Sequence, residues 1–213
     1  MRLGKFTTIL VLALSHFFVT AQSIEKGYYM CPVRPGEVNY LAGTMGELRS
    51  THFHTGIDIK TSGVSGLPVF AAADGYIQRI KVSPSGYGNA LYMAHPNGTT
   101  TVYAHLQEFQ DAIATYVRDY QYRRESFGVD ISVPKDKFTF KKGDVIALSG
   151  NSGSSSGPHL HFEIRDANQE VLNPLTYGFT EIKDLLPPTL SHIAFVTMDL
   201  DSRVNGMFGR LEF

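Results

Sequence analysis

The stretch ALYMAHPNGTTTVYAHL, Ala90 to Leu106, decides how the chain folds. Two short runs of aromatic, β-branched and other apolar residues flank Asn97-Gly98. That dipeptide is the strongest two-residue hairpin signal, because a type I′ turn needs positive φ at both central positions. A hairpin centred there pairs Tyr92 with Tyr103, Ala94 with Thr101 and His95 with Thr100. Side chains alternate along a strand, so Leu91, Met93, Val102 and Ala104 form one apolar face. Tyr92, Thr101, Tyr103 and His105 share the other. His95 then ends the core-side face, and His105 projects from the polar and aromatic side.

Outward from this hairpin the same rhythm continues. Leu67 to Phe70, Tyr76 to Val82, Val145 to Ser149 and Leu160 to Arg165 read as strands, separated by Asp74-Gly75, Pro84-Ser85-Gly86, Lys142-Gly143-Asp144 and a Ser/Gly run from Ser149 to Gly157. Short strands with such turns predict an all-β, mainly antiparallel fold. One segment breaks the pattern. Between Gln107 and Phe127, Phe109, Ile113, Tyr116, Val117 and Tyr120 recur at helical spacing, which predicts one inserted amphipathic helix. It packs against the sheet or acts as a lid over a substrate, and amphipathic periodicity favours packing.

The two ends read differently. Arg2 and Lys5 precede an apolar run from Thr7 to Val19, and Val19-Thr20-Ala21 supplies small residues before a cleavage point, so residues 1–21 read as a signal peptide. An uncleaved anchor is the alternative, although the run is short for a membrane span. The main domain is expected over 22–180. Residues 181–213 comprise a linker, with Pro187-Pro188 stopping regular structure, and the start of a β segment. Twenty-five residues from Thr189 cannot bury a core unaided, so they either extend the first domain or begin another.

Composition narrows the function. With 19 Lys+Arg against 20 Asp+Glu, the chain carries no excess of positive charge to favour nucleic acid or an anionic membrane as its main partner. The single cysteine, Cys31, makes no intramolecular disulfide and reads as structural or incidental. Beyond His16, in the leader, stand His52, His54, His95, His105, His159, His161 and His192, four of them in two His-x-His pairs. In GPHLHFEIR, strand alternation puts His159 and His161 on one face, roughly 6–7 Å apart, with Leu160 and Phe162 on the other. One imidazole can bind a metal while its neighbour handles protons. In THFHTGIDIK, His54 and Asp58 supply further candidate ligands, His54 on a loop and Asp58 on the next strand, with Gly56 permitting close approach. Zinc in hydrolytic sites takes three ligands from His, Asp or Glu and leaves a fourth position open. Spacing alone leaves metal binding undecided. Glu163 shares the face of the His159–His161 pair, either beside the site or as an ordinary exposed strand residue.

Together, HTGID, YAHL and GPHLHFEIR, in that order, resemble the lysostaphin/LytM-type zinc endopeptidases of bacterial cell walls. The framing text PVFAAADGYI, GYGN, KKGDVIALSGNSGSSS and NPL is similar to that family as well, over about residues 45 to 177. The resemblance implies a compact antiparallel β fold with a groove across one sheet, and hydrolysis of peptide bonds in peptidoglycan stem or bridge peptides, outside the cytoplasm at the cell wall. It implies one Zn2+ per chain, held by His54, Asp58 and His161. It further implies that His105 and His159 serve catalysis, dividing general-base and oxyanion-stabilising roles between them. Relatives that act as non-enzymatic activators typically lack ligands, and here every position is filled. A cell-wall binding module or activator that retains zinc is the competing reading. His52 and His95 are expected to stand aside from the site.

Overall fold

Pro96 decides the hairpin. The computed structural model describes residues 26–49, 52–183, 193–197, 199 and 201–212, so the expected signal peptide, the Asp184 to Pro188 linker and His192 lie outside the described residues. In the hairpin, Tyr92 pairs with Val102, Met93 with Thr101 and Ala94 with Thr100, one residue away from the centred register. Only Gly98 of the Asn-Gly pair has positive φ, at 81°. Gly98 N–H donates to the His95 carbonyl, and His95 N–H to the Thr99 carbonyl. The connection is therefore a three-residue loop, Pro96-Asn97-Gly98, with proline fixing the first turn residue and glycine taking the left-handed one. The expected type I′ turn is corrected accordingly, and so are the faces: Thr101 and Tyr103 join Leu91 and Met93, while Val102 and Ala104 join Tyr92.

In chain order the strands are β1 (Asn39–Gly43), β2 (Ile57–Lys60), β3 (Pro68–Phe70), β4 (Gly75–Val82), β5 (Asn89–Ala94), β6 (Thr100–Leu106) and β7 (Glu108–Phe109). After α1 (Asp111–Arg124) come β8 (Val129–Ser132), β9 (Thr139–Phe140), β10 (Val145–Leu148), β11 (His159–Arg165), β12 (Val171–Leu172) and β13 (Ile182–Lys183). The pair β14 (Ala194–Val196) and β15 (Arg210–Glu212) forms its own two-stranded ladder. A large sheet runs β13-β1-β2-β11-β6-β5-β4-β8, and a small one β3-β10-β7. Pairing is antiparallel throughout, except between β1 and β13. The protein is thus mostly β with a single described α-helix, and no described helix is long and apolar enough to cross a membrane.

One face of the large sheet builds the core. Ile57 and Ile59 of β2, Leu160, Phe162 and Ile164 of β11, and Tyr103, Leu91 and Met93 of the hairpin pack with Val69, Ile146 and Phe109 of the small sheet. Each fully buried aliphatic side chain of this kind contributes about 1.5–3 kcal/mol. The helix lays Ile113 and Val117 on the same core, consistent with the packing role. It starts later than its periodicity predicts: Phe109 belongs to β7, opposite Ala147, and Gln110 caps the helix by accepting Ala112 N–H. Cys31 is fully buried, donating to the Val33 carbonyl, and burial pushes its thiol up to about 11.

His95 is a core histidine. Its Nδ1–H donates to the Asp74 carbonyl at 2.8 Å and its Nε2 faces the Thr101 hydroxyl at 2.8 Å, with the Tyr29 ring alongside. Burial depresses its pKa, partly offset by the Asp74 carbonyl. The unfolded chain binds this proton near pH ~6.5 and the folded chain only lower. Stability from this residue is therefore complete above about pH 6.5 and declines as pH falls toward the folded value. Urea unfolding at about pH 7.5 and about pH 5.5 should show that decline, and His95→Gln should make it shallower.

Candidate functional site

Strand alternation carries the site. On β11, Leu160, Phe162 and Ile164 enter the core, so His159, His161 and Glu163 take the opposite face. Asp58 of β2 lies directly across from His161, and Ala104 of β6 flanks His161 on its other side. The small side chain of Ala104 leaves the space above the sheet to the imidazoles. His54 arrives from the preceding loop, and Gly56 makes that possible. A Cβ at Gly56 would stand 2.3 Å from the Phe162 carbonyl oxygen. Gly56→Ala is therefore expected to cost about 1–3 kcal/mol, measured by thermal unfolding of metal-free protein.

The three atoms His54 Nε2, Asp58 Oδ1 and His161 Nδ1 converge. Each histidine nitrogen lies 3.0 Å from Asp58 Oδ1, and the two nitrogens are 3.0 Å apart. His105 and His159 close the group, with ring centroids 4.8 Å apart, and His159 Nε2 stands 3.4 Å from Asp58 Oδ1. All five side chains named from the sequence are thus brought to one place. His52 is exposed on the approach to His54, and His95 is in the core.

Every imidazole here is oriented from behind. His54 Nδ1–H donates to the Thr44 carbonyl at 2.8 Å, and His161 Nε2–H to Glu163 Oε1 at 2.9 Å. His105 Nδ1–H donates to the Ser152 carbonyl and His159 Nδ1–H to that of Gly157, both at 2.8 Å. A neutral imidazole holds one ring proton, so with all four rings neutral the inward nitrogens present lone pairs. Lone pairs facing Asp58 Oδ1 without a hydrogen between them repel, and a cation relieves that. The donor set of two imidazoles and one carboxylate oxygen fits zinc, whose ligands at about 2.0–2.2 Å come from these residue types. The outward donations match the way metal-ligating histidines are usually fixed.

His105 reaches the site through a distorted backbone. Regular alternation would send it into the core with Tyr103. Between Asn89 and Leu91 the β5–β6 register slips, and His105 adopts φ 58°. This bulge turns the ring toward His159 and His161. The centred hairpin register, one residue off, also sends His105 to the site side, because the longer loop and the bulge shift in compensating directions.

Glu163 is a correction of another kind. Rather than an exposed strand residue, it is fully buried. Its Oε1 accepts from His161, from Thr55 at 2.5 Å and from the Tyr87 hydroxyl at 2.5 Å, while Oε2 accepts from Arg165 Nε at 2.6 Å. Burial raises its pKa, but the His161 and Arg165 bonds outweigh this and hold it at about 2. Asp58 behaves alike: burial opposes its charge, yet His159, His161 and His54, when they carry the inward proton, bond to it and keep it below the usual carboxylate range. Burial, helped by neighbouring His159 and opposed by the Ser152 carbonyl, depresses His105 to about 4. In His159 burial is overcome by Asp58 and the Gly157 carbonyl, and its pKa is raised. Thr55, Tyr87 and Arg49 were not singled out from the sequence; GYGN, which contains Tyr87, was the only available signal.

The family model described as Peptidase family M23 matches residues 52–121 and 128–174. The DD-carboxypeptidase/endopeptidase Mpg of Neisseria meningitidis serogroup B is 36% identical over 129 residues, 61% of this chain and 24% of that protein. The peptidoglycan DD-endopeptidase ShyB of Vibrio cholerae is 31% identical over 118 residues, 55% of this chain and 22% of its own length. The chain thus spans about a quarter of these relatives. Among solved structures, the catalytic domain of the prophage-encoded M23 protein EnpA from Enterococcus faecalis superposes with TM-score 0.50 at 23% identity, covering 71% of this chain and 98% of that one.

Proposed function

The chain belongs to peptidase family M23, and from that premise we propose an exported zinc metalloendopeptidase that hydrolyses stem or cross-bridge peptides of peptidoglycan. The observation that carries this reading is the set of four imidazoles whose outward N–H groups are all occupied. Two of them, with Asp58, would hold one zinc per chain. The other two remain to move protons, a surplus that a purely structural metal does not need. When bound, zinc would polarise the scissile carbonyl and acidify a water.

His105 and His159 then supply proton transfer. Each exposes Nε2 to the same space, and each is fixed by a backbone carbonyl at Nδ1. A neutral ring accepts the proton of the attacking water, and the charged ring stabilises the developing oxyanion or returns the proton to the leaving amine. Rings 4.8 Å apart disfavour double protonation, so one proton is carried at a time. Peptidoglycan is favoured as substrate because ShyB is named a peptidoglycan DD-endopeptidase and Mpg a DD-carboxypeptidase/endopeptidase. Such a substrate lies outside the cytoplasm, consistent with the leader read in residues 1–21.

Purified sacculi incubated with the protein test the proposal. Mass spectrometry should find new amine and carboxylate ends within stem or bridge peptides, lost with chelator and absent for His161→Ala. Stoichiometric zinc binding with intact sacculi would instead favour an activator of another hydrolase.

A further inference from the structure

The second oxygen of Asp58 is engaged by a residue outside the imidazole group. Arg49 Nη2 lies 2.9 Å from Asp58 Oδ2 and 2.9 Å from Glu47 Oε2. Arg49 stands on a short hairpin, bridged at Leu48 and Phe53, that also delivers His54: Arg49 N–H donates to the His52 carbonyl and His54 N–H to that of Glu47. The guanidinium occupies space that any other residue at 43 would fill. Gly43 pairs with Asp58 in the β1–β2 ladder, and a Cβ on it would stand 2.3 Å from Arg49 Nη2 and 2.7 Å from Asp58 Oδ2.

We infer that Arg49, admitted by the missing Cβ of Gly43, is a positioning residue that holds Asp58 Oδ2 away from the imidazoles, so that Asp58 offers a metal one oxygen instead of two. The inference rests on the zinc reading above. A carboxylate free at both oxygens can chelate, which with two histidines gives four protein donors. Four donors close a zinc site, whereas three leave the position that water and substrate require. Arg49 therefore keeps the site open without touching substrate. Glu47 opposes drift of the guanidinium, and the hairpin ties its placement to that of His54.

The test loads the full chain, wild type, Arg49→Met and Gly43→Ala, with cobalt(II) as a spectroscopic probe. Both variants should shift the visible d–d spectrum as the second Asp58 oxygen enters the cobalt coordination sphere, and turnover on sacculi should fall about 10–100-fold with KM unchanged. Gly43→Ala tests the same displacement with the arginine retained. A wild-type chain that takes up no cobalt overturns the metal reading and this inference together. A cobalt-binding wild type whose spectrum Arg49→Met leaves unchanged overturns this inference alone.

Discussion

Alanine at His159, and separately at His105, is expected to leave zinc bound while cutting turnover about 10²–10⁴-fold. Neither ring is needed to complete the triangle of His54 Nε2, Asp58 Oδ1 and His161 Nδ1. Both rings are fixed at Nδ1 and leave Nε2 to the same space; burial with the neighbouring His159 holds His105 at about 4, so at neutral pH it can accept a proton. Metal content by mass spectrometry and the rate of new amine ends from sacculi separate the two properties. Turnover within about tenfold of wild type for either variant would remove that histidine from proton transfer. If the pair shares one proton, as proposed, the double variant should lose little more than the worse single one.

Glu163→Ala should be the most damaging single change outside the four imidazoles and Asp58. The carboxylate compensates Arg165, orients His161 and accepts from Thr55 and Tyr87. Removing it leaves a half-buried guanidinium without its counter-charge, and breaking a buried pair from one side costs about 3–5 kcal/mol. Urea unfolding of metal-free protein measures that loss. Zinc affinity should fall about 10–100-fold as well, because His161 loses the partner that fixes its tautomer. Competition with a chromogenic chelator reads this second effect. Glu163→Gln keeps shape and one acceptor oxygen, so it should lie between alanine and wild type in both measurements.

Much of this arrangement can be read in the sequence where the signal is local. The alternation in HLHFEIR divides β11 into two faces, and six strands follow from their turn residues. His54, Asp58, His105, His159 and His161 stand in short motifs that resemble a known family. Features set by distant contacts were not visible. Glu163 looks like any outward strand residue until Thr55 and Tyr87 are folded over it, residues 108 and 76 positions away. Arg49 carries no pattern of its own, and its role depends on an absent side chain at Gly43. The hairpin register fails for a local reason: Asn97-Gly98 outweighs Pro96, although proline has no N–H to donate across a two-residue turn.

The left-handed residue at His105 acts as a phase switch in the strand. Up to Ala104, even-numbered residues of β6 lie on the imidazole side; beyond it, the even-numbered Leu106 is fully buried in the main core. One strand thereby places a proton-transfer candidate on one surface and, at the next residue, an anchor on the other. Any redesign of this sheet must therefore treat 104 and 105 as the boundary between two patterning frames. Regularising the bulge would restore an even ladder by burying the imidazole, so smoother β geometry and chemistry pull this position in opposite directions.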